Sequence, residues 1–110
     1  MTESGGTPPG GRAPEGTFQR LIEDIYFDRD FARGSDKTLL WFCEEVGELV
    51  RAIRRGAKDR ENLEEEFGDV YAWLATLASI HGVDLEAIGR EKYGGGCPRC
   101  RATPCACPAH

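Results

Sequence analysis

Apolar residues recur along this chain at helical spacing. Thr17 is followed by Phe18, Leu21, Ile22, Ile25 and Tyr26. This i, i+3, i+4, i+7, i+8 set predicts a first helix, capped by the threonine and fading near Arg33-Gly34. Ser35 or Asp36 opens a second helix through Leu39, Leu40, Phe42, Val46, Leu49, Val50 and Ile53, ending at Gly56. After a polar link, Ala57 to Arg60, a third carries Leu63, Phe67, Val70, Leu74, Leu77 and Ile80 and stops at Gly82. Asp84 caps a short fourth through Ile88 to Tyr93, where Gly94-Gly95-Gly96 ends it. No segment alternates with period two. The pattern predicts an all-α fold, a four-helix bundle in which the second and third helices form a long antiparallel pair.

Composition narrows the picture. The 110 residues amount to one domain at most. Met1 to Pro14 is rich in Gly, Pro, Ser and Thr and is expected to be disordered. Residues 15–93 form the helical domain, and residues 94–110 a cysteine-rich tail short of core formers. Roughly 80 residues remain to fold, near the size where a lone core is marginal. A homodimer or homotetramer is therefore expected, with helix faces bare in one copy buried against another. The net charge of −5 argues against a nucleic-acid polymer as partner. No apolar run approaches the ~18 residues of a membrane span, and no signal-peptide apolar region is found, so a cytoplasmic protein is expected.

Two short strings nearly repeat each other: Glu45-Val46-Gly47-Glu48 and Glu66-Phe67-Gly68-Asp69. Positions three apart share a helix face, so each string puts a carboxylate pair on one stripe. From Glu66 the same stripe continues through Asp69, Val70, Trp73 and Leu77, and Trp41 and Leu49 flank Glu45 one turn either way. These acids therefore lie on or beside an inward face, unlike ordinary solvated glutamates. Two such helices face to face gather four carboxylates, and a hard divalent cation with oxygen ligands relieves their repulsion. A magnesium site on Glu45, Glu48, Glu66 and Asp69 is expected. The glycines at 47 and 68 leave room for a facing helix, a metal or a ligand to come close.

The run Glu44-Glu45-x-x-Glu48 followed by Glu66-x-x-Asp69 resembles the signature of MazG-type all-α nucleoside triphosphate pyrophosphohydrolases, over about residues 18–93. The resemblance implies a metal-dependent enzyme that hydrolyses a nucleoside triphosphate to monophosphate and pyrophosphate. It places the four ligand acids on Glu45, Glu48, Glu66 and Asp69, and a phosphate-contacting lysine at Lys92. The family's asparagine and arginine beyond that lysine are replaced here by Gly94 to Cys97. Glu44 or Glu45 is the candidate acceptor for the proton of the attacking water. Trp41 and Trp73 are candidate base-stacking platforms, or else core. Arg29 and Arg33 are candidate phosphate contacts, or else form surface ion pairs with Asp28 and Asp30. The alternative class is a non-catalytic module that binds metal and nucleotide while its tail engages a partner.

Five cysteines remain. Cys43, alone in an apolar helical pattern, reads as a buried structural thiol. Cys97-Pro-Arg-Cys100 and Cys105-Ala-Cys107 put four thiols within eleven residues. In a reducing compartment such clustering argues for a structural zinc ion, held within one tail or across two chains, ahead of disulfides or free thiols. His81, ending an apolar helix, reads as structural, and His110 as a spare ligand.

Overall fold

The computed structural model describes residues 11–109. Among them lie four α-helices and no strand: α1 (Phe18–Arg33), α2 (Ser35–Arg55), α3 (Arg60–Ile80) and α4 (Leu85–Tyr93), with a 3-10 turn over Gly56–Asp59. The ends follow from local chemistry. The side chains of Thr17, Asp59 and Asp84 accept from the backbone N–H of Arg20, Asn62 and Ala87, so α1, α3 and α4 each begin at a capped residue. Between α1 and α2 only Gly34 intervenes, at φ +87°, a left-handed value that glycine adopts without steric cost.

The helix pair α2 and α3 packs most extensively, and α1 lies chiefly against α3. What sits between them is unexpectedly polar. Ile22, Ala52, Ala75 and Ala78 are buried, but so are Gln19, Glu23, Asp30, Thr38 and Thr76. Gln19 donates to Ser79 Oγ (3.0 Å) and to the Val83 carbonyl (2.8 Å) and accepts from the Leu85 N–H (2.9 Å). Glu23 accepts from Ser79 Oγ (2.5 Å) and from the Ala13 N–H (2.7 Å). This network ties α1 to the end of α3, to the start of α4 and to Ala13, which is itself buried. Residues 1–10 of the segment expected to be disordered lie outside the described residues.

A second network links three helices. Asp30 accepts from Arg33 Nη2 (2.6 Å) and from Thr76 Oγ1 (3.0 Å), while Arg33 Nε donates to Thr38 Oγ1 (2.9 Å). Each polar group of these two networks thus finds a partner, as it must in a low-dielectric interior.

The apolar stripes read from the sequence exist, but several face outward. Leu21 and Ile25 on α1, Leu39, Leu40 and Val50 on α2, and Phe67, Tyr71 and Leu74 on α3 are all exposed, Leu40 at 58% and Ile25 at 57%. Cys43 shares the bare α2 stripe and is exposed, which corrects its assignment as a buried thiol. Its helical spacing is apolar, yet no element among the described residues covers that face. The room left by Gly47 and Gly68 is likewise unused among the described residues, since a Cβ at either would meet nothing within 4 Å. His81 is satisfied as expected, its Nε2 lying 2.8 Å from Ser35 Oγ.

Replacing Thr76 by Val keeps its shape but strips the Asp30 carboxylate of one hydrogen bond. The loss expected in chemical denaturation is about 1–3 kcal/mol, the usual cost of leaving a buried acceptor short.

Candidate metal centre and adjoining cleft

At its midpoint, α2 presents Glu45 toward α3, which answers with Glu66 and Asp69. One carboxylate oxygen from each of these three residues lies within 4.8 Å of the others. Glu66 Oε1 is buried and has no hydrogen-bond partner among the described residues. Burial, and then the charges of Asp69, Glu66, Glu48 and Glu44, raise the Glu45 pKa above the ordinary carboxylate value. A half-buried set of like charges with an orphaned oxygen is chemically suited to a hard divalent cation, which would satisfy the oxygen and cancel the repulsion. Three carboxylates leave further positions for water or phosphate oxygens.

Of the four expected ligands, the fold brings together Glu45, Glu66 and Asp69. Glu48 stands apart, half exposed, and pairs with Arg51 at 2.8 Å. Glu44 is exposed. Its charge acts on Glu45 through space.

Beside the triad opens a cleft of about 700 Å³, and Asp69 belongs to both. Trp41, Trp73, Tyr26, Arg29 and Arg33 are among its lining residues. The two indoles meet edge to face, with ring centroids 5.6 Å apart. The Arg33 guanidinium sits over both, 5.2 Å from the Trp41 centroid and 5.0 Å from that of Trp73, within cation–π reach. Of the two readings of the tryptophans, burial in the core is not what the fold produces: Trp41 is 39% exposed and both rings wall the cleft. Arg33 does pair with Asp30, though in a half-buried position and not on the surface. Arg29 lines the cleft without an ion pair among the described residues. Lys92 is exposed on α4, its ammonium 5.7 Å from the Tyr93 ring, and is not among the residues lining the cleft. Tyr26 and Thr76 were not anticipated. Their signal was weak: Tyr26 read as core, and a threonine within an apolar run carries no mark of a cleft.

At the far end of the chain the Sγ atoms of Cys97, Cys100, Cys105 and Cys107 also lie within 4.8 Å of one another. The N–H of Ala106 donates to Cys100 Sγ at 3.2 Å, and this contact leads in pushing that thiol down to about 6.

Fold and site together define an all-α protein with a carboxylate cluster suited to a divalent cation at the edge of an aromatic-walled cleft. Residues 33–98 match the family model of the MazG nucleotide pyrophosphohydrolase domain. That match spans more than half of the chain, which therefore belongs to the MazG family. A curated relative, the uncharacterized protein YvdC of Bacillus subtilis (strain 168), is 36% identical over 44% of this chain. The chain covers 58% of that relative's length. No solved structure matches. No helix among the described residues is long and apolar enough to cross a membrane.

The raised pKa of Glu45 has a defined consequence for stability. A carboxyl whose pKa is higher folded than unfolded favours folding fully below its unfolded value. That contribution is lost as pH rises through the folded value. Metal-free protein carrying Glu45→Gln should therefore melt at a higher temperature than the parent at pH 7. The advantage should shrink as pH falls below the ordinary carboxylate range. Thermal melts across pH, in the presence of a chelator, measure this.

Proposed function

We propose that this protein is a magnesium-dependent nucleoside triphosphate pyrophosphohydrolase. The observation that carries the reading is the position of Asp69, which joins the carboxylate cluster to a cleft walled by two tryptophans. A triphosphate cannot approach three carboxylates unaided, so a site of this sign beside a nucleotide-sized cleft calls for bridging cations. Glu45, Glu66 and Asp69 hold the metal, and Glu48 joins them when it leaves Arg51. Bound magnesium supplies neutralisation of phosphate charge and acidification of a water. Glu44 or Glu45 takes the water's proton as its oxygen attacks phosphorus and the bond to pyrophosphate breaks. Trp41 and Trp73 offer ring faces to the base, and Arg29 its guanidinium to phosphate oxygens. Arg33, already committed to Asp30 and Thr38, holds the indoles in place.

The bare stripes on α1, α2 and α3 support assembly with a second copy of the chain, as a homodimer or homotetramer. Lys92, outside the cleft of its own chain, then contacts phosphate from α4 of a neighbouring copy. The protein works in the cytoplasm.

The central test is pyrophosphate release from a panel of nucleoside triphosphates with millimolar magnesium. Well-folded Asp69→Asn should lose turnover altogether, and Glu66→Gln nearly so. Lys92→Ala should cost about 1–3 kcal/mol of transition-state stabilisation, the worth of one charge-assisted contact. Undiminished hydrolysis by Asp69→Asn, or none by the parent, returns the chain to the binding-module class. Light scattering reads the assembly, and a monomer at micromolar concentration would refute it. Mixing inactive Asp69→Asn with Lys92→Ala protein should restore activity above either alone if Lys92 acts across copies.

A further inference from the structure

Residues 94–109 contain no helix, no strand and no buried residue. Ordering such a stretch costs backbone entropy, and here no apolar core offsets it. The segment nevertheless folds back on itself. Cys97 N–H donates to the Ala102 carbonyl at 3.0 Å, and Arg101 N–H returns to the Cys97 carbonyl at 2.6 Å. Arg101 takes φ +67°, a left-handed value that a side-chain-bearing residue keeps only where its surroundings hold it there. At Gly96, φ +99°, a Cβ would come within 2.9 Å of the Arg101 carbonyl oxygen, so the fold-back also requires a glycine.

What these turns accomplish is to bring four sulfurs together. Cys97 and Cys107 Sγ are 3.8 Å apart, and Cys100 and Cys105 Sγ are 3.9 Å apart. Four sulfurs at the ~2.3 Å zinc–thiolate bond length stand ~3.8 Å apart along the edges of a tetrahedron, against ~2.05 Å for a disulfide. Backbone N–H groups of Ala106 and Cys107 donate to the sulfurs of Cys100 and Cys105, at 3.2 and 3.4 Å. Such contacts disperse thiolate charge, as the surroundings of a metal ligand commonly do.

We propose that Cys97, Cys100, Cys105 and Cys107 bind one zinc ion within a single chain, in a closed structural site that folds the segment after α4. With all four positions taken by thiolate, no place is left for water or substrate, so this ion takes no part in hydrolysis. Four soft sulfurs select zinc where the carboxylate triad, all oxygen, selects magnesium. Cys100, Cys105 and Cys107 lie beyond the residues matched to the family, 33–98. The site is thus an addition to the nucleotide-binding unit, independent of whether that unit turns over substrate.

The test is elemental analysis of the full-length chain purified under reducing conditions. One zinc per chain is expected. Replacing it by cobalt should give the intense sulfur-to-metal absorption of a tetrahedral thiolate site. Because Cys43 is exposed and outside the set, one thiol should react quickly in the zinc form and all five after chelation. Cys100→Ser and Cys105→Ser should each lower zinc content while helical circular dichroism persists, as does the rise in melting temperature that magnesium should give through the carboxylate triad. Persistence of that shift separates failure here from failure of the carboxylate site. Zinc-free protein with five freely reacting thiols, two disulfides in freshly reduced and re-purified chain, or half a zinc per chain would each overturn the proposal.

Discussion

The Asp30 carboxylate is buried at the end of α1 and accepts hydrogen bonds from Arg33 on its own helix and Thr76 on α3. Arg33 in turn reaches Thr38 on α2 and lies over Trp41 and Trp73. Three helices and both cleft-lining indoles are therefore positioned through one ion pair. A buried pair of this kind contributes little net stability, because desolvation offsets most of its attraction, but removing one partner strands the other. Its value lies in geometry. It ties α1 to both α2 and α3 beside the indoles, which meet edge to face.

The carboxylate triad is the counterpart of that satisfied pair. Glu45, Glu66 and Asp69 repel one another, and Glu66 keeps a buried oxygen without a partner. A folded chain that invested only in stability would not retain such a set. A divalent cation would relieve this tension, and the cluster lies where the cleft begins. Free energy withheld from folding at this point would be available to a metal that binds there.

Small size explains much of the remaining architecture. The face of α1 that meets α3 is polar, carrying Gln19, Glu23 and Asp30, while Leu21 and Ile25 look outward. With α2 and α3 also leaving apolar stripes bare, the chain has more apolar surface than its own helices cover. At Gly47 and Gly68 too, a Cβ would meet nothing within 4 Å among the described residues. The tail addresses a related shortage differently: lacking any apolar core, it gathers sulfurs instead.

Helix limits and caps were legible in the sequence because they are local. Thr17 and Asp84, read as caps, bond to backbone groups three residues on, as does Asp59, read only as part of a polar link; Gly34 and Gly56 end helices at positive φ. The candidate site was partly legible for the same reason, since spacing of three within a helix places Glu66 and Asp69 on one stripe. Which stripe is covered is a different matter, because it depends on how helices distant in sequence pack. Cys43 was read as inward and is exposed, and Gln19 and Glu23 gave no sign of the buried network they form. Glu48 has the same helical offset from Glu45 that Asp69 has from Glu66. Yet α3 meets one side of α2 only, and leaves Glu48 to solvent and Arg51. Periodicity names the faces of a helix, and only packing between helices chooses among them.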